Sequence, residues 1–99
     1  MLSTLITAAI NKRVRPILTL TPFGEDGQFN NLLISSIVND MEVQVRLINE
    51  LYTTMERLGY RGVDIDFEYI LAEDRDNFTT FVANTTRYMN ERGFSVSVA

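Results

Sequence analysis

The chain has 99 residues, of which 45% are hydrophobic and 22% charged, and its thirteen acidic and nine basic side chains give a net charge of −4. This composition is typical of a folded globular protein, and because the basic residues are scattered it predicts no nucleic-acid partner. The chain contains no cysteine and no histidine, which excludes disulfides and thiolate or imidazole metal sites, so acid–base chemistry must use carboxylates or tyrosine.

The first part of the chain predicts a helix, a strand and a loop. Residues 2–11 carry apolar side chains at spacings of three and four, which predicts an amphipathic helix. Met1 to Ile10 has only a short apolar stretch, no basic leader and no convincing cleavage site, so we predict neither a signal peptide nor a membrane span. We expect no membrane association and leave the localisation open. Val14 to Leu20 contains an apolar run of strand length and predicts a buried parallel strand. Pro22 to Gly27 predicts a loop, and Phe29 to Ile37 predicts a short irregular or helical turn.

A long helix is predicted from Met41 to Leu58, because its apolar residues follow the 3.6-residue period. Asn39 or Asp40 is placed to cap its first turn, and Gly59 follows its last. A strand is then predicted over Gly62 to Tyr69, where apolar and acidic residues alternate strictly.

The last elements are a second helix and a third strand. Asp74 or Asp76 is placed to start the helix and Gly93 to end it, before an alternating strand over Phe94 to Ala99. Strands separated by helices predict right-handed crossovers and a parallel sheet. Three strands cannot close a barrel, so we expect one domain or one piece of a domain.

The strand over residues 62–69 places three carboxylates on one face. Aspartate is a poor strand former, and such violations of local propensity often mark functional sites. Alternate side chains lie about 6.6 Å apart along a strand, so Asp64, Asp66 and Glu68 form a row of roughly 13 Å. If this row faces a barrel lumen, low dielectric and like charge favour protonation of one member. Glu68, nearest the carboxyl end, is the candidate general acid, and Asp66 would orient it or share its proton.

Two other interpretations of the acidic face stay open. Alternation by itself favours an ordinary strand with its acidic side in water, although a parallel strand between two crossover helices is usually covered on both faces. Carboxylate oxygens also suit a hard cation such as Mg²⁺ or Ca²⁺.

The run Gly62-Val63-Asp64-Ile65-Asp66-Phe67-Glu68 resembles the DGxDxDxE signature on the fourth strand of glycoside hydrolase family 18, the chitinase-like family. Arg15 to Phe23 resembles the third strand of that family, Leu58-Gly59-Tyr60 leads into the signature, and Ser95 to Ala99 resembles the start of the fifth strand. The resemblance implies an α/β fold that is a partial (β/α)8 TIM barrel of about three parallel strands with intervening helices. Residues 1–99 would then be a fragment of the catalytic domain.

The resemblance also implies a reaction, namely substrate-assisted retaining hydrolysis next to N-acetylglucosamine in peptidoglycan or chitin, with no cofactor and no metal. In that mechanism the N-acetyl group attacks its own anomeric carbon. Glu68 protonates the leaving oxygen, Asp66 positions the acetamide and Asp64 tunes the charge of Asp66. Glu73-Asp74-Arg75 with Phe78 and Phe81 resembles the bacterial cell-wall and spore-cortex branch, which implies a secreted, cell-wall or spore-associated protein.

The sequence departs from the family pattern at two places. Arg61 stands where the first Asp of the signature is expected, and Thr19-Leu20-Thr21 replaces a small Ser/Gly-rich strand end. Arg61 lies at the amino end of its strand, away from the reacting sugar, so we expect it to affect packing rather than chemistry.

Among the aromatic residues, Tyr69 is the candidate for stacking on a sugar ring. Phe23 is placed either to meet substrate or to plug a loop. Tyr52 and Tyr88 lie at core spacing on helices, so packing is favoured for both.

The remaining barrel strands are missing from residues 1–99, so we expect no hydrolase activity from this chain alone. With open strand edges, we expect the isolated chain to form a homo-oligomer. The alternative functions are a non-catalytic carbohydrate-binding relative and a self-associating barrel fragment without activity.

Overall fold

The computed structural model describes residues 6–9, 16–21, 31–67 and 70–98. Its elements alternate between strands and helices along the chain. The strands are β1 (Ile6–Ala9), β2 (Ile17–Leu20), β3 (Gly62–Ile65) and β4 (Ser95–Val98). The helices are α1 (Asn31–Val38), α2 (Met41–Leu58) and α3 (Arg75–Asn90), with a 3₁₀ turn (Ala72–Asp74) just before α3.

The four strands form one sheet in the order β1-β2-β3-β4. β2, β3 and β4 are parallel, and their register aligns Thr19 with Asp64 and Asp64 with Ser97. The predicted fold class is confirmed: an α/β arrangement of three parallel strands with intervening helices, consistent with a partial barrel.

The helix predicted over residues 2–11 is wrong for residues 6–9, and the rest of that prediction lies outside the described residues. Ile6–Ala9 forms β1, which pairs antiparallel with β2, with Ile6 opposite Leu20 and Ala9 opposite Ile17. The free edge of β2 offers backbone hydrogen-bond partners to this segment. A short stretch with two β-branched residues gains more from that ladder than from an isolated helix turn.

The helices cover one face of the parallel sheet. Strands β2, β3 and β4 lie side by side in the same order as in the chain. When successive parallel strands are added in one direction, right-handed crossovers place all the connecting helices on the same face. The strand residues on that side, Leu18, Leu20, Val63 and Ile65, are at most 1% exposed. On the other side, Thr19 and Asp64 are half-buried and Ser97 is exposed. One face of the sheet is therefore core and the other is open and polar.

Helix α2 has the ends that its sequence predicted. The Asp40 carboxylate accepts hydrogen bonds from the backbone N–H groups of Glu42 (3.0 Å) and Val43 (3.3 Å). Gly59 ends the helix in the left-handed region at φ 79°, a conformation that costs an L-residue more than glycine. The buried stripe of the helix consists of Gln44, Leu47, Ile48, Leu51 and Met55.

Helix α3 packs its Phe81, Thr85 and Met89 into the core. The ring of Phe81 stacks on that of Phe67, with centroids 5.8 Å apart and planes inclined by 11°. Phe67 lies two residues beyond the end of β3, so this contact helps to set the direction of the chain as it leaves the strand.

Tyr52 and Tyr88 are packing residues, as the helical spacing indicated. Their rings meet edge to face at 6.0 Å, and Tyr52 meets Phe94 in the same way at 5.8 Å. Arg92 covers the outside of this cluster, with its Cζ 3.5 Å from the centroid of Tyr88. None of the helices in the described part of the chain is long and apolar enough to cross a membrane.

Gly62 is required where β3 approaches its neighbours. A Cβ at this position would overlap the Ser95 hydroxyl and lie 3.0 Å from both the Ser95 carbonyl oxygen and Ile17 Cδ1. We expect Gly62→Ala to lower the free energy of unfolding by about 1–3 kcal/mol, measured by urea denaturation. Adding Ser95→Ala should recover part of the loss, because it removes the overlapping hydroxyl. A single variant as stable as the parent would contradict the steric explanation.

Candidate functional site

A row of polar side chains crosses the open face of the sheet at one level. Thr19 of β2, Asp64 of β3 and Ser97 of β4 are aligned by the parallel register, and aligned residues on neighbouring strands share a face. The Ser97 hydroxyl donates a hydrogen bond to Asp64 Oδ1 at 2.8 Å. Asp64 is thus a half-buried carboxylate held by a residue of the next strand.

Asp66 continues this face beyond the end of β3. Its backbone N–H donates to the Leu20 carbonyl oxygen at 2.9 Å, so the ladder with β2 extends one step past the strand. Its side chain is half-buried, and Oδ1 is fully buried with no hydrogen-bond partner within the part of the chain that the structure describes. Buried carboxylate oxygens are normally satisfied. Among the described residues, Asp66 Oδ1 is therefore a buried acceptor that lacks a donor.

The strand predicted over Gly62 to Tyr69 ends earlier, at Ile65, but the alternation of burial continues as far as residue 67. Val63, Ile65 and Phe67 are at most 6% exposed, on the helix side, and Asp64 and Asp66 lie on the other. Both aspartates are half-buried on a face that no helix of the described residues covers, so the interpretation of a water-facing strand side stays open. Glu68, Tyr69 and Phe23, three of the predicted site residues, lie outside the described residues.

Among the described residues, no group of three or more acidic side chains could hold a metal ion. The cation interpretation also involves Glu68, which lies outside them, and it stays a prediction. A groove of about 260 Å³ lies between α2 and α3, on the helix side of the sheet. It is lined by Met41, Gln44, Val45, Ile48, Asn84, Arg87, Tyr88 and Glu91. The groove and the acidic row are therefore separate features.

A buried carboxylate anchors the segment that follows the acidic strand. Asp74, 3% exposed, lies at the end of the 3₁₀ turn and accepts hydrogen bonds from the Ser35 hydroxyl and, at 2.9 Å, from Asn39 Nδ2. Asn77 Nδ2 donates in turn to Asn39 Oδ1. Asp74 or Asp76 was predicted to start α3, and Asp74 is its N-cap residue. Its side chain makes no cap hydrogen bond, however, and contacts Ser35 and Asn39 instead. These hydrogen bonds therefore connect the segment that follows the acidic strand to the end of α1.

The hydrogen bonds from Ser35 and Asn39 lower the pKa of Asp74 from its ordinary value of 3.8, against the opposing effect of burial. A carboxylate whose pKa is lower in the folded chain stabilises the fold above its unfolded pKa. That stability is lost as the pH falls through and below 3.8.

We expect Asp74→Asn to lower the melting temperature by several degrees at neutral pH, because it removes the charge and turns one acceptor into a donor that faces Ser35 or Asn39. The difference from the parent should shrink as the solution is acidified below pH 4. Circular dichroism melts over a pH series measure both effects. Asp76→Asn, on the exposed first turn of α3, is the matched control, and an equal loss in both variants would contradict the anchoring role.

No protein-family model matches the chain, but individual proteins do. It is 32% identical over 88 residues to YdhD of Bacillus subtilis (strain 168), a protein provisionally named as a sporulation-specific glycosylase. It is 31% identical over 75 residues to the cortical fragment-lytic enzyme of the same organism. These alignments cover 89% and 76% of the chain, but only 21% and 17% of the relatives. The chain thus spans about a fifth of the length of the curated relatives it matches.

The fold of the chain also matches solved structures of proteins of this kind. The crystal structure of YdhD from Bacillus subtilis superimposes with a TM-score of 0.81 at 31% identity, covering 88% of this chain and 28% of that one. The Bacillus cereus spore cortex-lytic enzyme SleL gives a TM-score of 0.79 at 30% identity, covering 85% of this chain and 19% of that one. In sequence and in fold, the chain is a homologue of one segment of these Bacillus glycosylases and cortex-lytic enzymes.

Proposed function

We propose that residues 1–99 are the third to fifth strands of a glycoside hydrolase family 18 catalytic barrel, in a protein that hydrolyses bonds next to N-acetylglucosamine. The observation that carries the proposal is the position of the two described aspartates. Asp64 and Asp66 share the open polar face, and Asp66 lies at the carboxyl end of β3. Parallel α/β proteins bind their substrates at that end of the strands. The homologues named as a glycosylase and as lytic enzymes favour the same chemistry.

The proposed substrate is peptidoglycan rather than chitin. Two of the matched proteins are named for lysis of the spore cortex or its fragments, and cortex is a peptidoglycan layer. By the same reasoning we propose a spore- or cell-wall-associated protein. A neutral or weakly charged polysaccharide also suits a chain of net charge −4 better than a polyanion does.

In the proposed mechanism Glu68 is the acid, and protonates the glycosidic oxygen as the bond to the leaving sugar breaks. The acetamide oxygen of the substrate attacks the anomeric carbon, so no carboxylate nucleophile is needed, and water then completes the hydrolysis. Asp66 positions the acetamide through hydrogen bonding, and its Oδ1, which has no partner among the described residues, is suited to accept from the acetamide N–H. Asp64 tunes the charge of Asp66 two residues away, and Tyr69 and Phe23 are proposed to contact the sugar.

The test uses the longer protein that contains this chain, with purified peptidoglycan and N-acetylglucosamine oligomers as substrates and product release followed by mass spectrometry. Glu68→Gln should lower kcat by about 10²–10⁴-fold, the contribution of a positioned general acid, without changing the melting temperature. Glu73 is an exposed carboxylate within the 3₁₀ turn, and Glu73→Gln should keep full activity. Residues 1–99 alone should show no turnover, because the other walls of the sugar site come from other strands.

Three outcomes would count against parts of this proposal. Full activity in Glu68→Gln would remove that residue from the chemistry. Turnover by residues 1–99 that survives repurification and disappears in Glu68→Gln would show that the site is complete within this chain. Sugar binding without turnover by the longer protein would favour a non-catalytic carbohydrate-binding relative.

We further propose that residues 1–99 self-associate when isolated. Within the described residues, β4 is at the edge of the sheet and pairs only with β3, and Val98 at its end is 47% exposed. An open strand edge with an exposed apolar residue favours pairing with another chain. Light scattering should give a mass above that of a monomer, and Val98→Lys should reduce it, whereas Thr53→Lys on the exposed side of α2 should not. A stable monomer at high concentration would contradict this expectation.

A further inference from the structure

Strand β4 carries two serines on the open face of the sheet, and they differ in their contacts. Ser97 is aligned with Asp64 and donates its hydroxyl to Asp64 Oδ1 at 2.8 Å. Ser95 is aligned with Gly62, which has no side chain to receive a hydrogen bond. The two residues thus share strand, face and chemical type, and one of them holds a carboxylate of the acidic row.

The geometry of the Ser97 contact is set by the sheet. The β3–β4 ladder runs from Gly62 opposite Ser95 to Ile65 opposite Val98, so the donor and acceptor sit on rigid, paired backbones. Gly62 lies two residues before Asp64 on the same strand. Because it has no side chain, β4 can approach β3 closely at this point. A hydroxyl donor on a paired strand selects one orientation of the Asp64 carboxylate.

We infer that Ser97 is a positioning residue for the acidic row, an inference that rests on the proposed function. Ser97 holds the Asp64 carboxylate toward β4, while Asp66 positions the acetamide and Glu68 supplies the proton. Without the Ser97 hydroxyl, the Asp64 side chain loses the hydrogen bond that fixes its orientation. Because Ser97 acts through Asp64 and does not contact the substrate itself in this proposal, its loss should affect the chemical step and not substrate binding.

The inference is tested by kinetics on the longer protein with an N-acetylglucosamine oligomer as substrate. Ser97→Ala should lower kcat roughly tenfold, as expected for losing a hydrogen bond to a charged group, and should leave KM within about twofold. Ser97→Thr restores the hydroxyl and should restore kcat. Ser95→Ala, the matched control on the same strand and face, should retain the parent kcat, and melting temperatures of all three variants separate kinetic losses from unfolding.

If the parent enzyme is active and Ser97→Ala has the same kcat, the positioning role is wrong and the proposed function is unaffected. A loss that Ser97→Thr fails to restore, or one accompanied by an equal loss in Ser95→Ala, would also overturn it. A parent protein without turnover would refute the proposed function, and the role of Ser97 would fall with it.

Discussion

The parallel register of β2, β3 and β4 is the constraint on which the rest of the molecule depends. Because side chains on a strand alternate between faces, this register decides at once which residues enter the core and which face the open side. Leu18, Val63 and their neighbours pack under the helices, and Thr19, Asp64 and Ser97 fall into one polar row. A slip of one residue in β3 would bury Asp64 and expose Ile65, so the core itself holds the acidic row in place.

The acidic row gains its order from neighbouring elements. Ser97 holds Asp64 from β4, the ladder with Leu20 holds the backbone of Asp66 from β2, and the stack of Phe67 on Phe81 orients the chain where it leaves the strand. An enzyme that needs charges at fixed positions gains from having them on such a scaffold. The proposed chemistry is consistent with this arrangement, in which the strand supplies the acids and its neighbours supply their orientation.

The sequence predicted the elements whose signals are local. Helix α2 was readable because its period, its Asp40 cap and its Gly59 end all agree, and β3 because strict alternation has one structural meaning. Residues 6–9 were assigned to the wrong element because their conformation is decided by the edge of β2, which no local pattern reveals. The contact between Ser97 and Asp64 could not be predicted, since it depends on the register of two strands 33 residues apart. The roles of Glu68, Tyr69 and Phe23 stay predictions.

The hydrogen bond from Ser35 to Asp74 joins side chains 39 positions apart and closes a loop that contains the whole of α2 and β3. Closing a loop of this length costs conformational entropy before any contact repays it. We therefore expect this bond to form late in folding, after α2 has docked on the sheet. The segment that carries the acidic strand would then reach its final position together with α1, and local opening of α1 would release both.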